Sequence, residues 1–369
     1  MLENIKGNFG FGCMRLPMIG KEVDHAEFSK MVDAFMDAGF NYFDTARVYI
    51  DGKSETALRE CLVKRYPRES FVLVDKLSPS TVKCNEDIRK VFSLQLESLG
   101  VDYIDIYLMH SQNRFHFERY KKIGAYEEAF KLKAEGKVKC VGLSFHDTAE
   151  VLDGILTEYP EIEVVQLQVN YYDYEDSIVQ SRLCLDVCKK HGKPVVVMEP
   201  VRGGMLASPP DGARAILDRL GGGSYATWAI RFAASCEGVI MVLSGMGNMA
   251  MMTDNLSAMQ SFKPLTDSER ATLFDAAGAI RARNIIACTS CRYCVPGCPM
   301  NIEIPELFAC LNEKRNSGSW QSEYFYELKT KNGSPASACI ECGACENICP
   351  QKLPIRELLK DVSQEFDKK

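Results

Sequence analysis

The sequence predicts an α/β protein in which a (β/α)8 barrel, the TIM-barrel fold, is followed by a small α-helical domain. In the first 285 residues, short apolar segments alternate with helical patterns, and eight such βα units in a row are typical of a closed barrel. Two cysteine runs after residue 285 hold eight of the chain's 16 cysteines. We therefore predict two domains, residues 1–285 and 286–369.

The predicted strands are short apolar runs, and the segments between them carry apolar residues at helical spacing. The strands are expected at 9–15, 41–45, 71–76, 103–110, 140–144, 164–170, 194–199 and 239–244. The helices are expected at 26–38, 55–64, 86–99, 126–134, 149–158, 177–191, 225–235 and 249–259, with a further one at 266–282. A doubly wound sheet is the alternative, but no G-x-G-x-x-G follows the first strand.

The two cysteine runs have the same spacing, C-x2-C-x2-C-x3-C-P. The first run is Cys288, Cys291, Cys294 and Cys298, and the second is Cys339, Cys342, Cys345 and Cys349. This is the bacterial ferredoxin spacing for a [4Fe-4S] cluster. Zinc is the main alternative, but four-cysteine zinc sites usually draw on two separated C-x2-C pairs. The runs therefore predict two iron–sulfur clusters.

The ligands are expected to cross between the runs, because in two-cluster ferredoxins the fourth cysteine of a run ligates the other cluster. Cluster 1 is then held by Cys288, Cys291, Cys294 and Cys349, and cluster 2 by Cys339, Cys342, Cys345 and Cys298. The runs repeat at an offset of 51 residues, and each leads into a short amphipathic helix near Pro305 or Pro354. The pattern resembles an α-helical ferredoxin-like domain.

Composition narrows the class of protein further. Apolar residues make up 46% and charged residues 25% of the 369 positions, which is ordinary for a globular protein. A net charge of −6 gives no indication of the basic surface that binds nucleic acids. No apolar run approaches membrane-spanning length, and the first residues lack the apolar core of a signal peptide. With so many cysteines, a reducing compartment is indicated, so we expect a cytoplasmic protein without nucleic-acid or membrane partners.

Polar residues interrupt the predicted barrel at the ends of successive strands. Asp44 closes the second strand, Tyr49 follows in the loop, Lys76 closes the third and His110 closes the fourth. Each alone has an ordinary structural explanation as a helix cap, a snorkelling lysine or a core histidine. Four in order at the end of the barrel where catalysis occurs indicate an active site.

The N-terminal domain resembles an aldo-keto reductase, and the whole chain resembles the branch with a C-terminal double-cluster ferredoxin domain. The segments that carry this resemblance are GFGCMRLP, NYFDTARVYIDGKSE, DIYLMH, GKVKCVGLSFH, VVQLQVNYYD and MEPVRGGML. The resemblance implies a catalytic tetrad of Asp44, Tyr49, Lys76 and His110. Tyr49 would donate the proton, Lys76 would lower its pKa while paired with Asp44, and His110 would orient the carbonyl.

The resemblance also implies cofactor contacts. Ser144 and Gln166 match positions that hold the nicotinamide carboxamide, and Met198 stands where a stacking aromatic is usual. After the eighth strand, the expected phosphate and adenine contacts are Ser244, Gly245, Asn248, Asp254 and Asn255. Many relatives clamp the NADP 2′-phosphate with basic residues in this stretch, but residues 244–255 contain none. NADH is therefore favoured over NADPH, and a flavin remains open.

Two arginines are expected at the barrel mouth, where they would attract an anionic substrate group. They are Arg47, between two tetrad positions, and Arg202, after the seventh strand. A surface salt bridge is the alternative for each. For the whole protein, we expect an oxidoreductase that acts on a small carbonyl or alcohol and exchanges electrons through its clusters with a redox partner or a barrel-bound group.

Two alternatives to this function stay open. One is a plain NAD(P)H carbonyl reductase with structural clusters, and the other is a flavin-dependent or ferredoxin-like electron-transfer protein on a modified barrel. The substrate, the direction of reaction and the oligomeric state are not determined by the sequence.

Overall fold

The computed structural model of the protein describes residues 4–176, 179–282, 285–317, 321–331 and 333–367. These residues form two compact units. The first unit comprises residues 1–200 and 226–266, and the second comprises 201–225 and 267–369. This division differs from the predicted boundary at residue 285, because the segment after the seventh barrel strand and the helix that precedes the cysteine runs both pack within the second unit.

The first unit is built on a closed barrel of eight parallel strands, which confirms the predicted fold and excludes the doubly wound sheet. Around the barrel, β1 is followed by β10, β9, β8, β7, β6, β5 and β4, and β4 closes on β1. A short antiparallel hairpin, β2 with β3, lies outside it. The strands are β1 (Phe9–Gly12), β2 (Met18–Ile19), β3 (Glu22–Val23), β4 (Tyr42–Asp44), β5 (Val72–Leu77), β6 (Ile104–Gln112), β7 (Val138–Phe145), β8 (Val164–Gln168), β9 (Val195–Met198) and β10 (Val239–Ser244).

Helices connect successive barrel strands. They are α1 (His25–Asp37), α2 (Lys53–Leu58), α3 (Asn85–Leu99), α4 (Arg114–Lys122), α5 (Ala125–Ala134), α6 (Ala149–Glu158), α7 (Ser181–Lys190), α8 (Asp211–Leu217), α9 (Tyr225–Ala234) and α10 (Met249–Gln260). The sequence analysis missed α4 and α8. The helix expected at 177–191 is described from Ser181, and residues 177–178 lie outside the described residues.

Large side chains fill the barrel interior, and glycines make room for them. A Cβ atom at Gly10 would lie 2.6 Å from the Leu243 side chain and 2.9 Å from the Tyr42 ring. At Gly142 a Cβ atom would lie 2.5 Å from the Val164 carbonyl oxygen. These glycines therefore allow the strands to close around a packed core, so that the polar residues at the carboxyl ends rest on a rigid base.

The second unit is helical in its described part. It contains α8, α11 (Asp267–Arg281), α12 (Ile304–Ser317), α13 (Gln321–Lys331), α14 (Ala344–Ile348) and α15 (Ile355–Phe366). The helices expected near Pro305 and Pro354 are α12 and α15, whose buried residues share one hydrophobic core with several of the cluster cysteines. None of the described helices of the chain is long and apolar enough to cross a membrane.

Candidate active site and cluster segments

The barrel brings two tetrad members together as a buried ion pair. Asp44 ends β4 and Lys76 lies near the end of the adjacent strand β5. The Lys76 ammonium Nζ lies 2.6 Å from Asp44 Oδ1 and donates a second hydrogen bond of 2.7 Å to the Thr45 carbonyl oxygen. Gln166 Nε2 donates to the other Asp44 oxygen at 3.0 Å. Lys76 is 0% and Asp44 4% exposed, so the pair is held out of water.

Tyr49 lies over this ion pair. It begins a 3-10 turn, Tyr49–Gly52, after β4. The next residues, Ile50, Asp51 and Gly52, have φ values of 51°, 54° and 83°. Left-handed φ is costly for residues other than glycine and persists where the surrounding structure enforces it. The turn fixes the ring so that Lys76 Nζ lies 4.9 Å from its centroid.

His110 faces Tyr49 from β6. The two ring centroids are 5.9 Å apart, and His110 Nδ1 lies 2.7 Å from Ser78 Oγ. The register of β6 against β7 shifts just after Met109, and Ser111 has a φ of 53°. The Ser144 hydroxyl stabilises this irregularity by accepting a 2.7 Å hydrogen bond from the Ser111 N–H. Bulges of this kind re-aim side chains next to active sites.

The tyrosine and the histidine are both neutral at neutral pH. Burial raises the pKa of Tyr49 well above its ordinary value, and nearby carboxylates led by Asp44 add to the rise, while Arg15 acts in the opposite direction. Burial lowers the pKa of His110 well below its ordinary value, and the Lys76 charge adds to this. In the folded barrel, burial thus raises the pKa of Tyr49, and the expected lowering of that pKa by Lys76 stays a prediction.

The predicted carboxamide contacts are already engaged within the barrel. Ser144 accepts from Ser111, and Gln166 donates to Asp44. A hydroxyl also carries a donor hydrogen, and an amide carries an acceptor oxygen. The pair, which is adjacent in the β7–β8 register, thus matches the one acceptor and one donor group of a carboxamide. Met198 ends β9 and is half-buried.

Several predicted phosphate and adenine contacts have structural roles near α10. Asn255 Nδ2 donates to Ser244 Oγ at 2.8 Å. The Asn248 side chain caps α10 by accepting from the Met251 N–H at 2.9 Å. Asp254 is half-buried on the same helix. The structure brings these residues together after β10, and their side chains shape the helix N-terminus.

Two charged residues beside this segment were missed by the sequence analysis. Gly245 lies next to Arg15, since a Cβ atom at Gly245 would be 3.6 Å from the Arg15 Cβ. Arg15 Nη1 lies 3.9 Å from a Glu199 carboxylate oxygen. Glu27, on α1, accepts a 3.2 Å hydrogen bond from the Met249 N–H in the first turn of α10. Both residues lie more than 200 positions away in sequence, so no local pattern could have identified them.

Two buried carboxyl groups lie beside Lys76. Asp75 Oδ1 accepts from the Lys76 N–H at 2.7 Å, whereas Asp75 Oδ2 and Glu55 Oε1 have no hydrogen-bond partner among the described residues. Burial raises the pKa of Asp75 well above its ordinary value, and the Glu55 charge adds to the rise. Arg47 Nη1 lies 2.5 Å from Glu55 Oε2 and 2.7 Å from Ser98 Oγ. Arg47 therefore forms a salt bridge with the buried Glu55 carboxylate, and its substrate role stays a prediction.

In the second unit, cysteines from both runs line one cavity. They are Cys288, Cys291 and Cys294 of the first run and Cys349 of the second. Burial raises the pKa of the Cys294 thiol, and the other three sulfurs add to the rise. Four mutually repelling thiolates need positive charge between them, and metal binding both deprotonates thiols and supplies that charge. The donor set fits the predicted cluster 1, and Cys298 remains a predicted ligand of cluster 2.

Arg202 belongs to the second unit, and the residue is 3% exposed. Nη1 donates to the Ala287 carbonyl oxygen at 2.6 Å, and Nη2 lies 3.4 Å from Gln351 Oε1. These two residues are close in sequence to Cys288 and Cys349. These hydrogen bonds hold Arg202 against the segments that carry the cluster 1 cysteines, and its substrate role stays a prediction.

Known proteins resemble both parts of the chain. The aldo/keto reductase family profile matches residues 8–277, and the 4Fe-4S dicluster domain profile matches residues 287–353. The chain is 29% identical over 212 residues to the NADH-specific methylglyoxal reductase of Escherichia coli K12, covering 50% of this chain and 62% of that protein. It is 27% identical over 208 residues to the 9,11-endoperoxide prostaglandin H2 reductase of Trypanosoma cruzi, covering 53% and 68%. The chain thus spans about three-fifths of the length of the E. coli relative.

Solved structures agree with the fold. An aldo-keto reductase from Klebsiella pneumoniae in complex with NADPH has a TM-score of 0.59 at 22% identity, covering 72% of this chain and 89% of that one. The holo form of an aldo-keto reductase from Bacillus halodurans has a TM-score of 0.59 at 23% identity, covering 73% and 91%. Since the family profile spans well over half of the sequence, the chain belongs to the aldo/keto reductase family and carries a 4Fe-4S dicluster domain.

Proposed function

We propose that the protein reduces a carbonyl compound to an alcohol, or runs the reverse reaction, with Tyr49 as the proton donor, and that two [4Fe-4S] clusters exchange single electrons with a redox partner. The observation that carries the carbonyl chemistry is the buried Asp44–Lys76 pair, with Lys76 Nζ 2.6 Å from the Asp44 carboxylate and 4.9 Å from the Tyr49 ring centroid. His110 lies across from the same ring.

The proton chemistry follows from these side chains. When bound, a reduced nicotinamide would supply a hydride to the carbonyl carbon. Tyr49 would give its proton to the oxygen that gains negative charge. One C–H and one O–H bond would form in the product, while the C=O π bond, the C–H bond of the hydride donor and the O–H bond of Tyr49 would break. Tyr49 would be left as a phenolate beside the Lys76 ammonium. His110 is neutral, so it carries one N–H, and it positions the substrate oxygen by donating that hydrogen. The raised pKa of Tyr49 keeps the proton on the phenol until the oxyanion develops.

We propose NADH as the preferred cofactor. Arg15 lies beside Gly245 and would attract a diphosphate, to which the N-terminus of α10 is also suited. The Glu27 carboxylate, which accepts from the Met249 N–H, would repel a 2′-phosphate near the same helix end. The E. coli relative is named as NADH-specific. Two solved relatives are described with NADPH or NADP, so the preference has to be measured for this chain.

The cofactor preference is tested by Glu27→Gln. The substitution removes the negative charge and retains an oxygen that can accept from Met249. We expect kcat/KM with NADPH to rise at least about 5-fold, or roughly 1 kcal/mol, while kcat/KM with NADH changes less than about 2-fold. Glu22→Gln is the matched control, since Glu22 is an exposed residue on β3 that pairs with Lys53. If the ratio of kcat/KM with NADH to kcat/KM with NADPH is unchanged in Glu27→Gln, Glu27 does not select against NADPH.

The proton-donor role is tested by Tyr49→Phe. We expect turnover to fall at least about 100-fold, the range of general acid catalysis, with cofactor and clusters retained. Tyr42→Phe is the matched control, because Tyr42 is also a buried barrel tyrosine and its hydroxyl has no hydrogen-bond partner among the described residues. Small aldehydes and ketones, methylglyoxal among them, are the first substrates to screen, since the E. coli relative is named for methylglyoxal. Near-normal turnover of Tyr49→Phe would refute the proposal.

A carbonyl reductase with structural clusters is the second candidate. The observation that favours it is the close contact between the Gly203 backbone and Thr289, through which the cysteine segment holds the turn at 202–207. Anaerobic addition of NADH separates the two. Bleaching of the cluster absorbance, with or without a flavin in the purified protein, supports electron exchange. Unchanged clusters during full carbonyl turnover support the structural role.

A further inference from the structure

A buried cation lies beside one of the two cysteine sets. Arg202 is 3% exposed and donates to the carbonyl oxygen of Ala287, the residue before Cys288. Its second contact is Gln351, two residues after Cys349. Both cysteines, and Gln351 itself, line the cavity assigned to cluster 1. The guanidinium therefore contacts the two segments that close this cavity.

The backbone fixes the guanidinium in this position. Arg202 itself has a φ of 51°, and Gly203 has a φ of 65°. A Cβ atom at Gly203 would lie 2.4 Å from the Thr289 carbonyl oxygen, so only glycine allows the turn to approach the cysteine segment this closely. A left-handed arginine persists where the surrounding structure enforces it. Arg202 thus holds a defined position next to cluster 1.

Two other arginines near the cysteine runs are far more exposed. Arg292 also lines the cluster 1 cavity, but its side chain is 48% exposed. The side chain of Arg356, near the cluster 2 run, is 43% exposed. Charges in such positions are screened by water and salt. Arg202 differs from both in its burial, since it is 3% exposed.

We propose that Arg202 sets the reduction potential of cluster 1, holding it above the value that the cluster would have without this charge. Reduction adds one electron to an already negative unit of iron, sulfide and thiolates, and no bond or proton is exchanged. A fixed cation in a low-dielectric environment stabilises the reduced state more than the oxidised state. Arg202 then acts on the cluster through its charge alone. This role is independent of the carbonyl chemistry proposed above.

The test is an anaerobic redox titration monitored by electron paramagnetic resonance, without NADH or substrate. In Arg202→Gln, we expect the equilibrium constant for reduction of one of the two clusters to fall at least tenfold. This fall corresponds to a midpoint potential that is lower by about 59 mV. Arg202→Lys and the matched control Arg292→Gln should each shift it less than about threefold. The Arg202→Gln shift should persist at high salt, since buried charges are little screened.

Two outcomes would overturn the proposal. One is an Arg202→Gln protein with both clusters present and both midpoints unchanged. If that variant does not retain its clusters, Arg202→His offers a second measurement, because an imidazole changes its charge with pH. A pH-dependent midpoint beyond that of the unsubstituted protein supports the proposal, and an identical pH dependence refutes it. Failure of both variants to hold clusters would assign Arg202 a structural role and likewise overturn the proposal.

Discussion

The buried ion pair between Lys76 and Asp44 makes a quantitative prediction about stability. Lys76 is 0% and Asp44 4% exposed, and their charged atoms lie 2.6 Å apart. Lys76→Met keeps the length of the side chain but leaves the carboxylate with Gln166 and no cation. Asp44→Asn leaves the ammonium with the Thr45 carbonyl oxygen and no anion. The double variant is neutral and can keep the hydrogen bond to Gln166.

Each single variant should lose about 3–5 kcal/mol of the free energy of unfolding, since an uncompensated buried charge costs this much. For a domain of this size, about 2–4 °C in Tm corresponds to 1 kcal/mol, so Tm should fall by roughly 6–20 °C. The double variant should be less destabilised than either single variant, because replacing a buried pair with neutral groups is often nearly neutral. All three variants should have lost most of their turnover. The double variant should therefore recover stability without recovering catalysis.

The assay is anaerobic thermal unfolding followed by circular dichroism. Lys139→Met is the matched control, because Lys139 pairs with Asp105 at 2.9 Å in the same barrel but is 43% exposed. Its loss should not exceed about 1 kcal/mol. The reasoning is refuted if the free energy of unfolding that the double variant loses equals the sum of the two single losses.

Three further predictions concern the same barrel. Ser78→Ala removes the hydroxyl that lies 2.7 Å from His110 Nδ1. It should lower turnover roughly 2- to 10-fold, which corresponds to the loss of one hydrogen bond, whereas Ser78→Thr should retain turnover. Equal turnover in the two variants would contradict this role. The pKa of Asp75 is raised in the folded protein, so the group stabilises the fold fully below its unfolded pKa of about 3.9. This stabilisation is lost as the pH rises through the folded pKa. The difference in Tm between the unsubstituted protein and Asp75→Asn should therefore change in favour of the variant as pH rises, and a constant difference would contradict the raised pKa of Asp75. The rate of carbonyl reduction should not decline as the pH rises to about 10, since the pKa of Tyr49 is raised. A decline in rate that sets in below about pH 8 in the unsubstituted protein and is absent in Tyr49→Phe would contradict this.

Much of the barrel and its tetrad could be predicted because the information is local. The strands of a parallel barrel are largely apolar, and polar residues gather near their carboxyl ends. Asp44 ends β4, and Lys76 and His110 lie within two residues of the ends of β5 and β6, so their order along the chain predicted that they would lie at one end of the barrel. The helix α4 was missed because Arg114–Lys122 has low mean hydropathy, and its capping residue Asn113 was not recognised as a start signal.

Electrostatic effects could not be predicted because they depend on the complete set of neighbours. The sequence placed Lys76 near Tyr49 and therefore predicted a lower pKa for the phenol. Burial and the carboxylate of Asp44 outweigh that effect in the folded barrel. Likewise, the absence of basic residues from 244–255 gave no information on Arg15 and Glu27, which approach this segment from the loop after β1 and from α1.

Arg202 shows both the strength and the limit of reasoning from residue type. A fixed guanidinium after a barrel strand was expected to attract an anion, and the physical argument for that expectation still holds. What the sequence lacked was the set of contacts that selects the anion. The hydrogen bonds to Ala287 and Gln351 bury the charge against the segments of Cys288 and Cys349, where four thiolates and an added electron would be the negative groups that it stabilises. Because burial and not residue type determines how far a charge acts, Arg202 and the exposed Arg292 should differ in their effect on the cluster 1 midpoint although both lie beside the same cysteines.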